Sequence, residues 1–165
     1  MPEAVVVDAD APFERLSEIV LGLERDGVSA VRLRGRDRDP FLLTAALAAR
    51  TRVIRFVVET DTARTHPYTL ARRLAALDKI SAGRLDWAPH DTQPARRDEA
   101  VELVGRLLRS WPPEAMVQDR AIGVHVDTSL IEAVWHDGRY YSVHSPLDVP
   151  AGPQGEVPVA AEPGR

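Results

Sequence analysis

The sequence contains no cysteine among its 165 residues, which excludes disulfide bonds and thiolate metal sites. It has no apolar run close to the roughly 18 residues that a membrane-spanning helix needs, and its first residues lack the basic flank of a secretory signal. Basic residues are in the minority, with 21 Lys and Arg against 25 Asp and Glu and a formal charge of −4. These absences predict a cytoplasmic protein with neither a membrane nor a nucleic-acid partner.

The common catalytic and nucleotide-binding motifs are also missing. There is no glycine-rich phosphate loop, no His-Glu-x-x-His helix and no Gly-x-Ser-x-Gly turn. The five histidines stand at positions 66, 90, 125, 136 and 144, without the spacing that places two imidazoles on one helical face. We therefore expect no metal site.

The composition and length are those of one globular domain, residues 1–165. The apolar fraction is 44%, which is typical of globular proteins. A chain of this length can bury a hydrophobic core without disulfide bonds or other cross-links.

Apolar patterning alternates between strand and helix four times. Strands are predicted at 4–7, 28–33, 53–58 and 85–87, and helices at 12–26, 40–50, 67–80 and 96–111. Asp10 is the predicted cap of the first helix, and Gly27 and Gly83 are predicted stops. This order predicts a parallel α/β sheet with helical crossovers, either an open doubly wound sheet or a TIM barrel. Periodicity alone does not choose between the two.

The pattern changes after Pro113. Residues 135–141 are typical of a β-hairpin with Asp137 and Gly138 at its turn. Only residues 157–161 could supply a fifth parallel strand.

Candidate chemistry lies at the predicted strand ends, where α/β enzymes collect their active residues. His66 follows the third strand and precedes Pro67, so it is either a catalytic group or a helix cap. His90 lies beside Asp91 after the fourth strand, where the pair could hold a polar ligand or move protons; the alternative is a solvent-exposed loop. Trp87 lies on the presumed ligand side and could stack on a planar ligand.

The densest cationic stretch is residues 32–38, with arginine at 32, 34, 36 and 38. Clustered arginines can follow phosphates. The alternative is a solvated loop, since Asp37 and Asp39 interrupt the cluster.

The stretch 65–87 reads THPYTLARRLAALDKISAGRLDW and resembles the bacterial luciferase-like flavin monooxygenases, in particular the nitrilotriacetate and dibenzothiophene-sulfone monooxygenase branch. Later blocks at 97–102, 110–111, 138–143 and 145–150 follow the same order. The resemblance implies a TIM barrel. This chain would supply a partial barrel of about five parallel strands, with the hairpin inserted before the last strand.

The resemblance also implies a cofactor and a reaction. Members take reduced FMN from a separate flavin reductase and use oxygen to oxidise a small organic substrate. Thr62 matches a flavin-contacting threonine, and His90 falls at a family histidine, whereas a flavin-site aspartate falls on Gly35. We therefore predict Thr62, His90 and Trp87 as cofactor-binding residues, and His66 and His90 as catalytic residues.

Two hypotheses follow for the function. The first is an FMN-dependent monooxygenase, and the alternative is a non-catalytic half-barrel that acts as an interaction scaffold. A nucleic-acid module built on residues 32–38 is a distant third. Because five strands of eight cannot close a barrel, we also expect a homodimer or another partner to cover the open sheet edges.

Overall fold

The computed structural model describes residues 4–35, 38–121 and 123–160. The elements run in the order β1 (Val5–Asp8), α1 (Phe13–Arg25), β2 (Ala30–Arg34), α2 (Pro40–Ala48), β3 (Arg55–Asp61), α3 (Pro67–Ile80), β4 (Leu85–His90), α4 (Pro94–Arg109), β5 (Val134–Asp137) and β6 (Ser142–Ser145). Two short 3₁₀ turns, Pro113–Ala115 and Thr128–Leu130, lie between α4 and β5. The four predicted strand and helix units are confirmed.

The first four strands form one parallel sheet in the order β1-β2-β3-β4. Its longest pairing joins β3 to β4, from Phe56 opposite Leu85 to Asp61 opposite His90. The predicted fifth strand is present as a single parallel bridge between Trp87 and Val159. The Trp87 amide donates to the Pro158 carbonyl at 2.8 Å, and the Ala160 amide donates to the Trp87 carbonyl at 2.7 Å. Ala161 lies outside the described residues.

Local sequence signals explain the helix boundaries. The Asp39 carboxylate accepts from the Phe41 amide at 2.8 Å and begins α2, as an N-cap residue does. Gly27 and Gly83 end α1 and α3 in the left-handed region, with φ of 79° and 80°. The prediction for Asp10 is wrong: Pro12 is the N-cap of α1 and no side chain caps that helix.

All four helices pack on one face of the sheet. The main core joins strand residues such as Phe56 and Trp87 to Leu16 of α1, Leu47 of α2, Leu74 of α3 and Leu103 of α4. The opposite face carries a small cluster of Val57, Ala88 and Ala160. A doubly wound sheet has helices on both faces, whereas a barrel has them outside only. The packing therefore favours the barrel.

The hairpin β5–β6 is confirmed, but its turn is longer than predicted. Asp137 still pairs with Ser142, so residues 138–141 form the connection, closed by a hydrogen bond from the Gly138 amide to the Tyr141 carbonyl at 2.9 Å. The hairpin lies against α4, whose Arg106 donates to the Trp135 carbonyl at 2.9 Å. None of the described helices has the length and apolar character that a bilayer crossing requires.

Candidate functional site

The candidate site is a cleft of about 520 Å³ at the carboxyl ends of the strands. It extends from β3 and β4 to the first turns of α2 and α3. Its wall includes the backbone of Gly35, apolar Phe41 and Leu70, and polar Asp61, Thr65 and His90. A cleft of this size, with apolar walls and a few polar groups, is typical of small-molecule sites.

His90 is the predicted residue that lines this cleft. It is the last residue of β4, and its side chain is exposed. Its carbonyl accepts a hydrogen bond from the Thr62 amide at 3.0 Å. The end of β4 is thereby fixed to the turn after β3 through the backbone, without use of the imidazole.

The neighbouring carboxylate does not pair with His90. The Asp91 side chain is inaccessible to solvent and accepts two hydrogen bonds from Arg96, both at 2.7 Å. The Arg96 guanidinium, with smaller contributions from the Gln93 amide and the Thr62 hydroxyl, holds the pKa of Asp91 well below its usual range. The predicted histidine–carboxylate pair for proton transfer is thus absent, because Asp91 ties the end of β4 to α4.

Thr62 directly follows β3, and only 1% of its surface is exposed. Its hydroxyl donates to Asp91 at 2.7 Å, and its carbonyl accepts from the Tyr141 hydroxyl at 2.9 Å. Burial raises the pKa of that tyrosine, so the phenol stays a donor at neutral pH. Thr62 therefore holds its neighbours in place and does not present its hydroxyl to the cleft.

His66 is the N-cap of α3. Its Nδ1 accepts from the Tyr68 amide at 3.2 Å, which requires that nitrogen to be unprotonated. The ring meets Tyr141 edge-on, with centroids 5.6 Å apart. Of the two roles that the sequence left open for His66, the structure shows the capping contact.

Trp87 lies on the helical face of the sheet, inside the main core. It is 1% exposed, and its indole nitrogen donates to the Thr60 hydroxyl at 2.8 Å. The expectation that it lies on the ligand side is wrong, because successive side chains of a strand alternate between faces and Trp87 faces the helices. Stacking on a ligand would require it to leave the core.

Gly35 is closely approached by the two residues that follow β1, Ala9 and Asp10. A Cβ atom there would lie 2.6 Å from a carboxylate oxygen of Asp10 and 2.8 Å from the Ala9 Cβ. An aspartate at this position, as the family pattern has, would displace Asp10. The Asp10 carboxylate occupies that space instead.

The carboxylates of Glu59 and Asp61, which line the cleft, both form ion pairs. Arg32 and Arg34 bind the same oxygen of Glu59 at 2.9 and 3.2 Å. Burial alone would raise the pKa of Glu59, but the two guanidinium groups outweigh it and lower the pKa. Arg64 pairs with Asp61 at 3.3 Å. Of the arginine cluster at 32–38, residues 36 and 37 lie outside the described residues.

Sequence reasoning missed Tyr141 and Arg96 as parts of this region. Tyr141 reaches Thr62 across 79 positions of the chain, and no local pattern encodes such a contact. Arg96 had a usable signal, since it lies in the first turn of α4 and within reach of Asp91, the residue that follows the preceding strand.

The chain was compared with known proteins. The model of a family described as luciferase-like monooxygenase matches residues 3–161. Dibenzothiophene-sulfone monooxygenase from Rhodococcus erythropolis is 33% identical over 145 residues, which cover 76% of this chain and 32% of the relative. Nitrilotriacetate monooxygenase component A from Aminobacter aminovorans is 32% identical over 145 residues, with the same two coverages of 76% and 32%.

Among solved structures, riboflavin lyase with modified FMN and the substrate riboflavin superposes with a TM-score of 0.83 at 22% identity, covering 93% of this chain and 48% of that chain. This likeness shows the fold, and the predicted partial barrel is confirmed. The chain spans about a third of the length of the curated relatives it matches and about half of the lyase.

Proposed function

The chain belongs to the luciferase-like monooxygenase family, and from this premise we propose that it serves the flavin-dependent oxidation of a small organic substrate. The observation that carries the proposal is the cleft at the carboxyl ends of β3 and β4, with the His90 imidazole in its wall. This is the edge at which barrel enzymes place their active sites. FMN is the proposed cofactor, since the similar riboflavin lyase structure contains a modified FMN.

The cleft suits a flavin ring in size and chemistry. Phe41 and Leu70 supply apolar surface, and His90 and Thr65 supply polar atoms. A flavin ring has flat apolar faces and a polar edge, so these residues would hold it. Bound reduced flavin would supply the electrons with which oxygen is activated.

In this proposal His90 is the residue that contacts the cofactor, and Thr62 positions it. The Thr62 amide holds the His90 carbonyl, and the Thr62 hydroxyl holds the adjacent Asp91. Arg96 anchors Asp91 from α4. The His90 imidazole would then donate or accept a hydrogen bond at the flavin edge.

The proposal includes a second protein. One similar relative is named component A of its monooxygenase, which indicates a system with more than one component. We propose that a separate flavin reductase supplies reduced FMN to this chain.

A non-catalytic scaffold is the second candidate. Two of the three predicted flavin contacts, Thr62 and Trp87, favour this candidate. Each is 1% exposed, and its side chain is hydrogen-bonded within the fold. A scaffold would retain these bonds for stability alone and would bind no flavin.

Titration of the purified chain with FMN separates the two candidates, with flavin fluorescence as the readout. We expect saturable one-to-one binding and a roughly tenfold loss of affinity in His90→Ala, since one hydrogen bond to a ligand contributes about 1 kcal/mol or slightly more. His125→Ala is the matched control, because His125 is also exposed but lies outside the cleft wall. Absence of binding at millimolar FMN would contradict the flavin proposal and support the scaffold.

A further inference from the structure

Two arginines at the mouth of the cleft have hydrogen-bonding capacity that the fold does not use. Arg38 lines the cleft and makes no ion pair or hydrogen bond with any residue in the described ranges. Among the described residues, the Arg64 side chain pairs through its Nε alone, with Asp61 at 3.3 Å, and 85% of that side chain is exposed. Its two terminal nitrogens therefore remain available to a ligand.

The carboxylates of this region are already engaged by arginines. Glu59 accepts from Arg32 and Arg34 through one oxygen, and Asp61 pairs with Arg64. Asp39, at the start of α2, forms a close ion pair with Arg73. Their negative charges are thus largely balanced before any ligand enters.

Guanidinium groups with free N–H donors recognise planar oxyanions, and a carboxylate receives two parallel hydrogen bonds from one such group. From Arg38 and Arg64 together we propose that the cleft selects a substrate that carries carboxylate groups, over a neutral one of similar size. This inference rests on the proposed function and names the substrate class for the same site.

Relatives in this family are named for charged substrates and for neutral ones. One similar relative is named for nitrilotriacetate, a tricarboxylate, and another for dibenzothiophene sulfone, which carries no charge. The arginines at positions 38 and 64 place this chain with the first kind of substrate.

The test is calorimetric titration with nitrilotriacetate and, separately, with dibenzothiophene sulfone. We expect saturable nitrilotriacetate binding that weakens as salt rises and no saturable binding of the sulfone. Arg38→Gln and Arg64→Gln should each weaken nitrilotriacetate binding about tenfold, the loss expected for one charge-assisted hydrogen bond. Arg15→Gln is the control, because Arg15 is an exposed arginine on α1 that pairs with nearby Glu18.

Four results would overturn the inference: equal binding of the sulfone, no binding of nitrilotriacetate, nitrilotriacetate binding unchanged in both cleft variants, or displacement of nitrilotriacetate by FMN. The last result would assign the arginines to the flavin phosphate. FMN binding is measured on the same samples. Intact FMN binding without nitrilotriacetate binding contradicts the substrate class alone, whereas loss of FMN binding contradicts the proposed function.

Discussion

Thr62 shows how one buried residue can hold neighbouring elements in place through three hydrogen bonds. Its amide, hydroxyl and carbonyl are bonded to His90, Asp91 and Tyr141 respectively. Three elements, β3, β4 and the hairpin turn, therefore meet at a single buried residue. The side chain that faces the cleft, His90, depends on this junction for its position.

Replacement of Thr62 by valine tests this role. Valine keeps the volume but removes the hydroxyl, and Asp91 loses one of its donors in a site without solvent. We expect Thr62→Val to lower the free energy of unfolding by about 1 kcal/mol, measured by urea denaturation. Thr62→Ser keeps the donor and should lose less. A smaller loss in Thr62→Val than in Thr62→Ser would show that the methyl group matters more than the hydroxyl.

Contacts between neighbours in sequence were the predictable part of the site. Asp39 and His66 cap helices by accepting from amides two residues ahead. Asp39 followed by Pro40 is a local pattern typical of a helix start. For His66 the local pattern leaves helix capping and catalysis as alternatives. The face of Trp87 was not predictable, because β4 is buried on both faces and its sequence shows no alternation. The contact from Tyr141 to Thr62 depends on the docking of the hairpin, which no local pattern describes.

At the scale of elements, the Glu99 carboxylate of α4 fixes the hairpin turn, in addition to the contact from Arg106 to the Trp135 carbonyl. Glu99 accepts from the amides of Tyr140 and Tyr141 at 3.1 and 3.0 Å and contacts His136 at 3.1 Å. Gly138 makes room for it, since a Cβ there would lie 2.1 Å from a Glu99 oxygen. The predicted hairpin was correct as an element, but its longer turn follows from this attachment, which orders residues 138–141.

Glu99 makes this attachment dependent on pH. Burial alone would raise the pKa of its carboxyl, but the bonds from His136 and the two amides outweigh it and lower the pKa below the ordinary 4.5. A lowered pKa in the folded state means that the ionised group stabilises the fold at pH values above 4.5, and that this stabilisation is lost as the pH falls through the folded-state pKa.

Glu99→Gln should therefore lower the free energy of unfolding by about 1 kcal/mol at pH 7, because the charge-assisted bonds become neutral ones. The difference from the wild type should shrink on acidification below pH 4.5. Urea denaturation at pH 7 and at pH 3.5 measures both. Glu102→Gln, an exposed site on the same helix, is the control, and a difference that does not change with pH would contradict the role of the charge.

At the scale of the whole molecule, the order of the strands was predictable and the arrangement of the helices was not. Alternating units predict parallel neighbours in chain order, because short crossovers join adjacent strands. Whether the helices lie on one face of the sheet or on both depends on the direction of each crossover. The hydrophobic periodicity of the sequence does not reveal that direction. The shared core of the four helices settles that question, as the resemblance of residues 65–87 implied.

An open half-barrel exposes sheet surface that a closed barrel covers. Within the described ranges β1 pairs only with β2, and Val5 and Val6 are 39% and 51% exposed. At the other side Val159 is 48% exposed.

Unpaired backbone groups beside apolar side chains favour pairing with another chain, so we expect the 165-residue protein to form a homodimer. Gel filtration with light scattering should give about twice the 18.2 kDa chain mass. Val6→Lys, which places a charge on the exposed edge, should shift the protein toward the monomer. Val53→Lys should not, because Val53 is 71% exposed and lies outside the sheet. A monodisperse 18.2 kDa monomer would show that the exposed strands are stable without a second copy.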